Sequence, residues 1–130
     1  MWDKLIKELG GVPLAYDHIF ISYLPNKNWE EKEFNVEPWE TKVLKIHAQF
    51  FRGATSYPSR GSYRTIDSKG IITTKIILEK TRMVVSFVTE SELTEQALKK
   101  ITDLLKEFGR KTKQETVAFV LDGQFYYIDI

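Results

Sequence analysis

The chain contains no cysteine among its 130 residues. Disulfide bonds, thiolate nucleophiles and zinc–sulfur sites are therefore excluded. No run of residues approaches the roughly 18 consecutive apolar residues that a membrane-spanning helix needs. The N-terminal segment 1–13 has charges every few residues and lacks the apolar stretch of a signal peptide. These absences predict a soluble, cytoplasmic protein without a membrane partner.

The short motifs of several common chemistries are missing as well. The sequence has no G-x-x-x-x-G-K or G-x-G-x-x-G loop for phosphates, no G-x-S-x-G, no H-E-x-x-H and no paired acidic metal ligands. Neither of the two histidines, His18 and His47, has a second metal ligand at a recognisable spacing. The sequence therefore predicts no metal and no cofactor, and it favours a non-enzymatic module over an enzyme.

Charge is nearly balanced in total but uneven along the chain. The formal net charge is +1, which gives no general attraction to nucleic acid or to a membrane surface. Segment 41–66 nevertheless has no acidic residue and five basic ones, whereas segment 29–40 has five glutamates and one lysine. The basic residues of the first segment are Lys42, Lys45, Arg52, Arg60 and Arg64.

Length and periodicity predict an α+β fold. With 42% hydrophobic and 13% aromatic residues, the chain can bury the core of a single domain, residues 1–130. Hairpin patterns predict a mainly antiparallel sheet, and one long amphipathic helix at about 92–108 is expected to cover one of its faces. A short helix is expected at the N-terminus, and about 25–41 is expected to form a long loop.

Three local predictions can be checked directly against a structure. Segment 41–53 alternates apolar and polar residues, which predicts a half-exposed strand with His47 on its solvent face. A short turn near 80–82 is expected to separate two further strands. For the long helix, Ser91 is favoured as the N-cap over Thr94, and Gly109 is expected at the C-cap.

The stretch "YPSRGSYR", residues 57–64, is the clearest candidate for a binding site. Arginine side chains match the geometry of phosphate and carboxylate groups, so Arg60 and Arg64, together with Arg52 and Tyr63, are the candidate ligand-binding residues. The simpler and favoured interpretation is a loop that leads into a strand, with Pro58 and Gly61 as its turn residues.

Two residues are candidates for proton transfer, His47 and Glu79. His47 is a candidate general base, although a solvent-facing histidine on a strand is more commonly structural. Glu79 ends an apolar strand, and a cross-strand ion pair with Arg64 or Arg82, Arg64 being preferred, is the favoured interpretation over acid–base catalysis. An enzyme built from these residues requires Arg64, Glu79 and His47 to meet in one cleft.

The segments "GSYRTIDSKGIITTKIILEKTRMVVSF" and "LLKEFGRKTKQETVAFVL" carry a further pattern. It reads glycine–aromatic–arginine, a turn, a strand ending in glutamate, an apolar strand, a helix, and Gln-Glu followed by a hydroxyl residue and valine. In this pattern, residues 61–121 resemble a small bacterial domain family of unknown function, and the resemblance implies no activity. The matching positions are Gly61, Tyr63, Arg64, Glu79, Gln114, Glu115 and Val117.

Three functions remain open at this point. The favoured one is a non-enzymatic binding or protein-interaction module, which includes a homodimer or a partner protein that pairs with a free sheet edge such as the last strand. The second is a small enzyme that acts on an anionic or phosphate-ester substrate. The third is single-strand nucleic-acid binding, because a sheet face with both arginines and aromatic residues suits stacked bases.

Overall fold

The computed structural model describes the whole chain, Met1–Ile130. It forms one α+β domain of three helices and one five-stranded sheet, which confirms the predicted fold class. The strands lie in the order β2-β3-β1-β4-β5, and every neighbouring pair is antiparallel. In chain order the elements are α1 (Trp2–Glu8), β1 (His18–Pro25), α2 (Glu37–Phe51), β2 (Thr55–Ile66), β3 (Ile72–Val88), α3 (Glu95–Lys111), β4 (Thr116–Leu121) and β5 (Gln124–Asp129).

The sheet has one face covered by helices and one open face without a helix, on which Ile77, Thr81 and Val120 are nevertheless buried. Successive side chains of a strand point to opposite faces, and the covered face packs against α2 and α3. On β1, the central strand, Phe20, Ser22 and Leu24 face the helices and are fully buried. The core consists of Phe20, Leu24, Val36, Val43, Phe51, Val84, Val88, Ala97, Ile101, Leu105, Phe108 and Val117. On the opposite face β1 presents Ile19, Ile21 and Tyr23.

The predicted strand at 41–53 is wrong, because this segment forms most of α2. Residues Val43, His47 and Phe51 repeat every four positions and are the residues that the helix buries. Pro38 lies in the first turn of α2, where a proline loses no helical hydrogen bond. The alternation of apolar residues in this segment was compatible with a strand. In the helix, however, the three buried residues lie on one side, which is the side that packs against the core. The irregular segment after β1 is consequently 26–36.

The predicted turn near 80–82 is also wrong. β3 runs without interruption through these residues, because Thr81 pairs with Pro25 of β1 on one side and with Ser59 of β2 on the other. The stretch 57–64 lies entirely within β2 rather than in a loop. Pro58 is accommodated there because β2 is an edge strand, where a missing N–H need not break the ladder.

The long helix is displaced by about three residues from its predicted bounds. It spans Glu95–Lys111, and the side chain of Thr94, rather than Ser91, caps it by accepting a hydrogen bond from the Ala97 backbone N–H at 3.1 Å. Gly109 is not its C-cap but a buried residue inside the helix. A Cβ atom at this position would lie 2.6 Å from Ile130 Cδ1 and 2.9 Å from Val117 Cγ1, so the glycine permits close packing of α3 against the last two strands.

The termini add two observations. The short N-terminal helix is present as α1, but it buries none of its residues. β5 is an edge strand, as is β2, so the last strand has the free edge that the proposed partner contact requires, and pairing with a second copy stays a prediction.

None of the helices has the length and apolar character that crossing a membrane would require.

Candidate functional site

The register of β2 with β3 separates the arginines of 57–64 from its tyrosines. Arg60 lies opposite Lys80 and Arg64 lies opposite Ile76, on the same side of the hairpin as the helices. Tyr63 lies opposite Ile77 on the open face of the sheet. A face that presents both arginines and aromatic residues, as expected for nucleic-acid binding, is therefore not formed by this stretch.

Tyr63 shares the open face with Glu79. Glu79 pairs with Gly61, two residues before Tyr63 on β2. A Cβ atom at Gly61 would lie 3.9 Å from Glu79 Cγ, so the Glu79 side chain extends over this glycine, on the same face as Tyr63. Arg64 points to the other face, and Arg82 forms its ion pair with Glu40, so neither predicted ion pair of Glu79 is present. Glu79 forms no ion pair and no side-chain hydrogen bond with any residue of the chain.

Two loops bring further carboxylates to this place. β1 ends at Pro25, and the segment that follows packs along the part of β3 that extends beyond it: the Asn26 N–H donates to the Lys80 carbonyl at 2.9 Å. The Gln114 amide donates to the Lys27 carbonyl at 2.9 Å and so joins the α3–β4 loop to the same segment. These contacts place Glu31 and Glu115 where their charges act on Tyr63.

The pKa of Tyr63 reflects the negative charges around it. Burial raises the pKa of the Tyr63 hydroxyl, and the negative charges of Glu79, Glu115 and Glu31 raise it further. Glu31 is neutralised in part by Lys75, whose ammonium lies 2.7 Å from its carboxylate, but Glu115 has no cationic partner. We call Tyr63, Glu79, Glu31 and Glu115 the acidic site.

Glu79 is the carboxylate of the acidic site that is least hydrated. Burial raises its pKa, and the nearby Lys27 ammonium lowers it in part. Lys27 itself donates to the Leu78 carbonyl at 2.8 Å. A half-buried carboxylate without a bonded partner, next to a tyrosine ring that is 47% exposed, can accept a cationic group from a ligand.

His47 lies far from this site, in the core between α2 and the sheet. Its Nδ1 is 2.9 Å from Ser86 Oγ, and its Nε2 is 2.8 Å from Ser22 Oγ. Ser86 Oγ donates its own hydrogen to the Gly53 carbonyl at 2.7 Å, so it accepts from His47 Nδ1–H, and Ser22 donates to Nε2. His47 is thus a neutral structural residue; burial lowers its pKa to about 4.

The convergence of Arg64, Glu79 and His47 that the enzyme hypothesis required is therefore not found. Arg64 and Glu79 point to opposite sheet faces, and His47 is fully buried. Arg52 follows α2 with a positive φ of 74° and lines a separate cavity. Of the predicted site residues, only Tyr63 and Glu79 lie together. Sequence reasoning missed Glu31, and it marked Glu115 only through the family resemblance.

His18 joins three segments at the opposite end of β1. Its Nδ1–H donates to Asp122 Oδ2 at 2.6 Å, and its Nε2–H donates to Glu90 Oε2 at 2.5 Å. The Ile19 N–H donates to the second oxygen of Asp122. Hydrogen bonds to Asp122 and Glu90 raise the pKa of His18, because both ring nitrogens donate only in the protonated imidazole.

Replacing His18 is expected to remove a pH-dependent part of the stability. Since the folded-state pKa exceeds 6.5, the stabilisation is complete below pH 6.5 and is lost as the pH rises through the raised pKa. In His18→Gln, the urea midpoint should no longer decline as the pH rises above 6.5. Equal slopes for the variant and the wild type would show that the two carboxylates do not act on His18.

No protein-family model and no curated protein matches the sequence. Two solved structures are similar in fold over nearly the whole chain. One is a phage SAM lyase in complex with S-methyl-5'-thioadenosine, at 15% sequence identity and a TM-score of 0.64, with 92% of this chain and 97% of that chain covered. The other is a phage SAM lyase in the apo state, at 16% identity and a TM-score of 0.63, with 92% and 94% covered.

These comparisons correct the favoured functional hypothesis. The fold that the chain shares over 92% of its length is that of an enzyme, which contradicts the expectation of a non-enzymatic binding module and favours the enzyme alternative. The resemblance to a family of unknown function stays a prediction. Three of its positions, Tyr63, Glu79 and Glu115, lie together in the acidic site.

Proposed function

We propose that the chain is an enzyme that cleaves S-adenosylmethionine and releases S-methyl-5'-thioadenosine. The observation that carries the proposal is the acidic site, in which Glu79 and Glu115 lack ion-pair partners beside the exposed ring of Tyr63. S-adenosylmethionine carries two positive groups, an ammonium and a sulfonium, and one carboxylate, so its net charge is +1, and such a ligand matches a negative site with an aromatic wall. The similarity in fold to a phage SAM lyase over 92% of the chain supports the same substrate.

The charge of the site changes the substrate class from the one first expected. An anionic or phosphate-ester substrate requires basic residues at the centre, yet Arg60 and Arg64 lie on the other side of the hairpin. At the acidic site a phosphate would meet three carboxylates and only Lys27 and Lys75 as cations. Since like charges repel most strongly where water is excluded, a cationic substrate is favoured.

The proposed reaction breaks the bond between the sulfonium sulfur and the adjacent Cγ of the amino-acid part. The bonding electrons pass to sulfur, which leaves as the neutral thioether of S-methyl-5'-thioadenosine. The substrate's own carboxylate attacks Cγ and closes a five-membered lactone, so no water and no external nucleophile is consumed. Intramolecular reactions of this kind reach effective molarities of about 10⁵–10⁸ M when the reacting groups are oriented.

The chain's own residues then have binding and orienting roles. Glu79 accepts the substrate ammonium, whose charge does not change in the reaction, and thereby fixes the position of the attacking carboxylate. The Tyr63 ring lies against the sulfonium. Glu115 adds negative charge that attracts the two positive groups of the substrate. Positioning of this type is a major source of rate enhancement when a single bound conformer reacts.

The test is to incubate the protein with S-adenosylmethionine and to measure S-methyl-5'-thioadenosine by chromatography. A protein-free sample supplies the background rate. We expect release well above this background, with homoserine lactone as the second product. S-adenosylhomocysteine, which lacks the S-methyl group and therefore the sulfonium charge, should not be cleaved. If product forms no faster than in the protein-free sample, the proposed activity is rejected.

A further inference from the structure

A second cavity lies at the other end of the open sheet face. It has a volume of about 460 Å³ and forms where residues Leu14–Tyr16 pass over β3 near Phe87 and meet the Arg52–Ala54 turn between α2 and β2. Typical small-molecule sites enclose about 300–1,000 Å³. Phe87 is eight residues from Glu79 along β3, which separates the cavity from the acidic site by about 26 Å at 3.3 Å per residue.

Aromatic and aliphatic side chains form one wall of this cavity. The rings of Tyr16 and Phe87 are in contact, with centroids 4.8 Å apart and planes at 57°. Both remain partly exposed, at 46% and 48%, so the pair offers ring surface to a ligand. Val85 and Phe51 extend the apolar surface. This wall suits an aliphatic or aromatic group of modest size.

Two oppositely charged residues, Arg52 and Glu92, line the same cavity but do not form an ion pair with each other. Arg52 forms no ion pair and no side-chain hydrogen bond. Glu92 Oε1 accepts hydrogen bonds from Thr89, from its N–H at 2.9 Å and its hydroxyl at 2.8 Å. The backbone hydrogen bond from Thr89 is the main reason that the pKa of Glu92 is lowered, and the charge of Arg52 contributes. One oxygen of Glu92 and the whole Arg52 guanidinium are free to bind a ligand.

We propose that this cavity binds a small zwitterion of the α-amino-acid class with an apolar side chain. The ligand carboxylate pairs with Arg52, its ammonium pairs with Glu92, and its side chain packs on Tyr16 and Phe87. The charge pattern selects a ligand that carries both charges, because a simple carboxylate would leave Glu92 without a partner and an amine would leave Arg52 without one. The proposal rests on the cavity alone and does not depend on the lyase activity.

The experiment is a titration of the ¹⁵N-labelled protein, followed by chemical shifts, with L-phenylalanine, L-leucine and L-methionine. We expect saturable shifts at the amides of Tyr16, Gly53 and Phe87, with dissociation constants between about 0.1 mM and a few mM. Two analogues serve as comparisons: 3-phenylpropanoate, which lacks the ammonium, and 2-phenylethylamine, which lacks the carboxylate. Each should bind at least about tenfold more weakly, as expected for loss of a charged hydrogen bond.

Variants identify the residues. Arg52→Gln should weaken binding of the amino acids about tenfold, whereas Arg60→Gln, the same change at an exposed arginine of the hairpin, should leave it unchanged. Glu92→Gln, which can still accept from Thr89, should weaken the amino acids but not 3-phenylpropanoate. The proposal is overturned if no amino acid gives saturable shifts at these amides up to about 50 mM, or if Arg52→Gln binds as the wild type does. A protein that folds but does not cleave S-adenosylmethionine would still bind the amino acids in this experiment, so the two proposals fail independently.

Discussion

Glu79→Gln is expected to lower kcat/KM for the cleavage of S-adenosylmethionine by about a hundredfold or more. The amide is nearly isosteric with the carboxylate but has no charge with which to hold the substrate ammonium. Without that contact, the attacking carboxylate of the substrate is no longer fixed near Cγ. Rates of S-methyl-5'-thioadenosine release by the two proteins, compared across substrate concentrations, measure the effect.

Two controls separate this effect from general damage. Glu95→Gln makes the same change in charge at an exposed position in the first turn of α3, and it should retain the wild-type rate. S-methyl-5'-thioadenosine has no ammonium group, so it should bind to Glu79→Gln about as tightly as to the wild type. A Glu79→Gln protein that turns over within about threefold of the wild type would remove Glu79 from the proposed mechanism.

The substitution Glu79→Gln also has an expected effect on stability. Burial raises the pKa of Glu79, which means that the folded state disfavours the charged form relative to the unfolded state. At neutral pH the neutral glutamine should therefore leave the chain at least as stable as the wild type. An active-site carboxylate that costs stability is the usual compromise between function and folding.

Acidification is expected to destabilise the protein through His47. Its folded-state pKa of about 4 lies below its unfolded value of 6.5, so at intermediate pH the unfolded chain binds a proton that the folded chain does not. The stabilisation is complete above pH 6.5 and is lost as the pH falls towards 4. The difference in pKa corresponds to a loss of about 3 kcal/mol in the free energy of unfolding.

His47→Gln isolates this contribution. Glutamine can still donate to one of the two serine hydroxyls, Ser86 and Ser22, and accept from the other, but it does not titrate. The variant should lose about 1 kcal/mol at pH 7 through poorer packing, and it should show a much smaller decline between about pH 6.5 and pH 4.5. Urea unfolding over this range measures both. Parallel curves for the wild type and the variant would place the acid sensitivity elsewhere.

His18 provides an internal contrast, because it titrates with the opposite sign. Its stabilisation is lost above pH 6.5, whereas that of His47 is lost below pH 6.5. Together they predict a maximum of stability near pH 6.5. Lowered carboxylate pKa values at Glu92, Asp103 and Glu107 add losses only below about pH 4.5. The raised pKa of Glu79 gives a gain on acidification that partly offsets the loss through His47, so the comparison of the wild type with His47→Gln is what isolates His47.

Local signals in the sequence determined a large part of the fold. Asp122-Gly123 predicted the last hairpin, and both residues adopt the positive φ values, 51° and 80°, that this turn requires. Asp67–Gly70 predicted the β2–β3 turn, where the Ile71 N–H donates to the Asp67 carboxylate. The apolar repeat of α3 predicted the helix that packs on the sheet. These elements could be predicted because turn sequences and apolar periodicity depend only on residues a few positions apart.

Segment 41–53 shows where local information is insufficient. Its apolar residues fit both a period of two and a helical repeat, and the choice depends on what they contact. Only the packed structure shows that Val43, His47 and Phe51 face β1 and α3 as one stripe. His47 therefore changed from a solvent-facing candidate base to a buried structural residue. Its role depends on Ser22 and Ser86, which are 25 and 39 residues away along the chain.

By itself the sequence determined that this is a single α+β domain without cysteine chemistry or a known phosphate loop, and it marked Tyr63 and Glu79 as residues of interest. Only the tertiary structure decided that the site is acidic. The strand register places Arg60 and Arg64 on one face and Tyr63 on the other, and the contacts of two loops bring the charges of Glu31 and Glu115 close enough to act on Tyr63. Whether a site is acidic or basic depends on which charged residues from distant parts of the chain lie on the same face of the sheet. That arrangement is a property of the folded chain rather than of any short stretch.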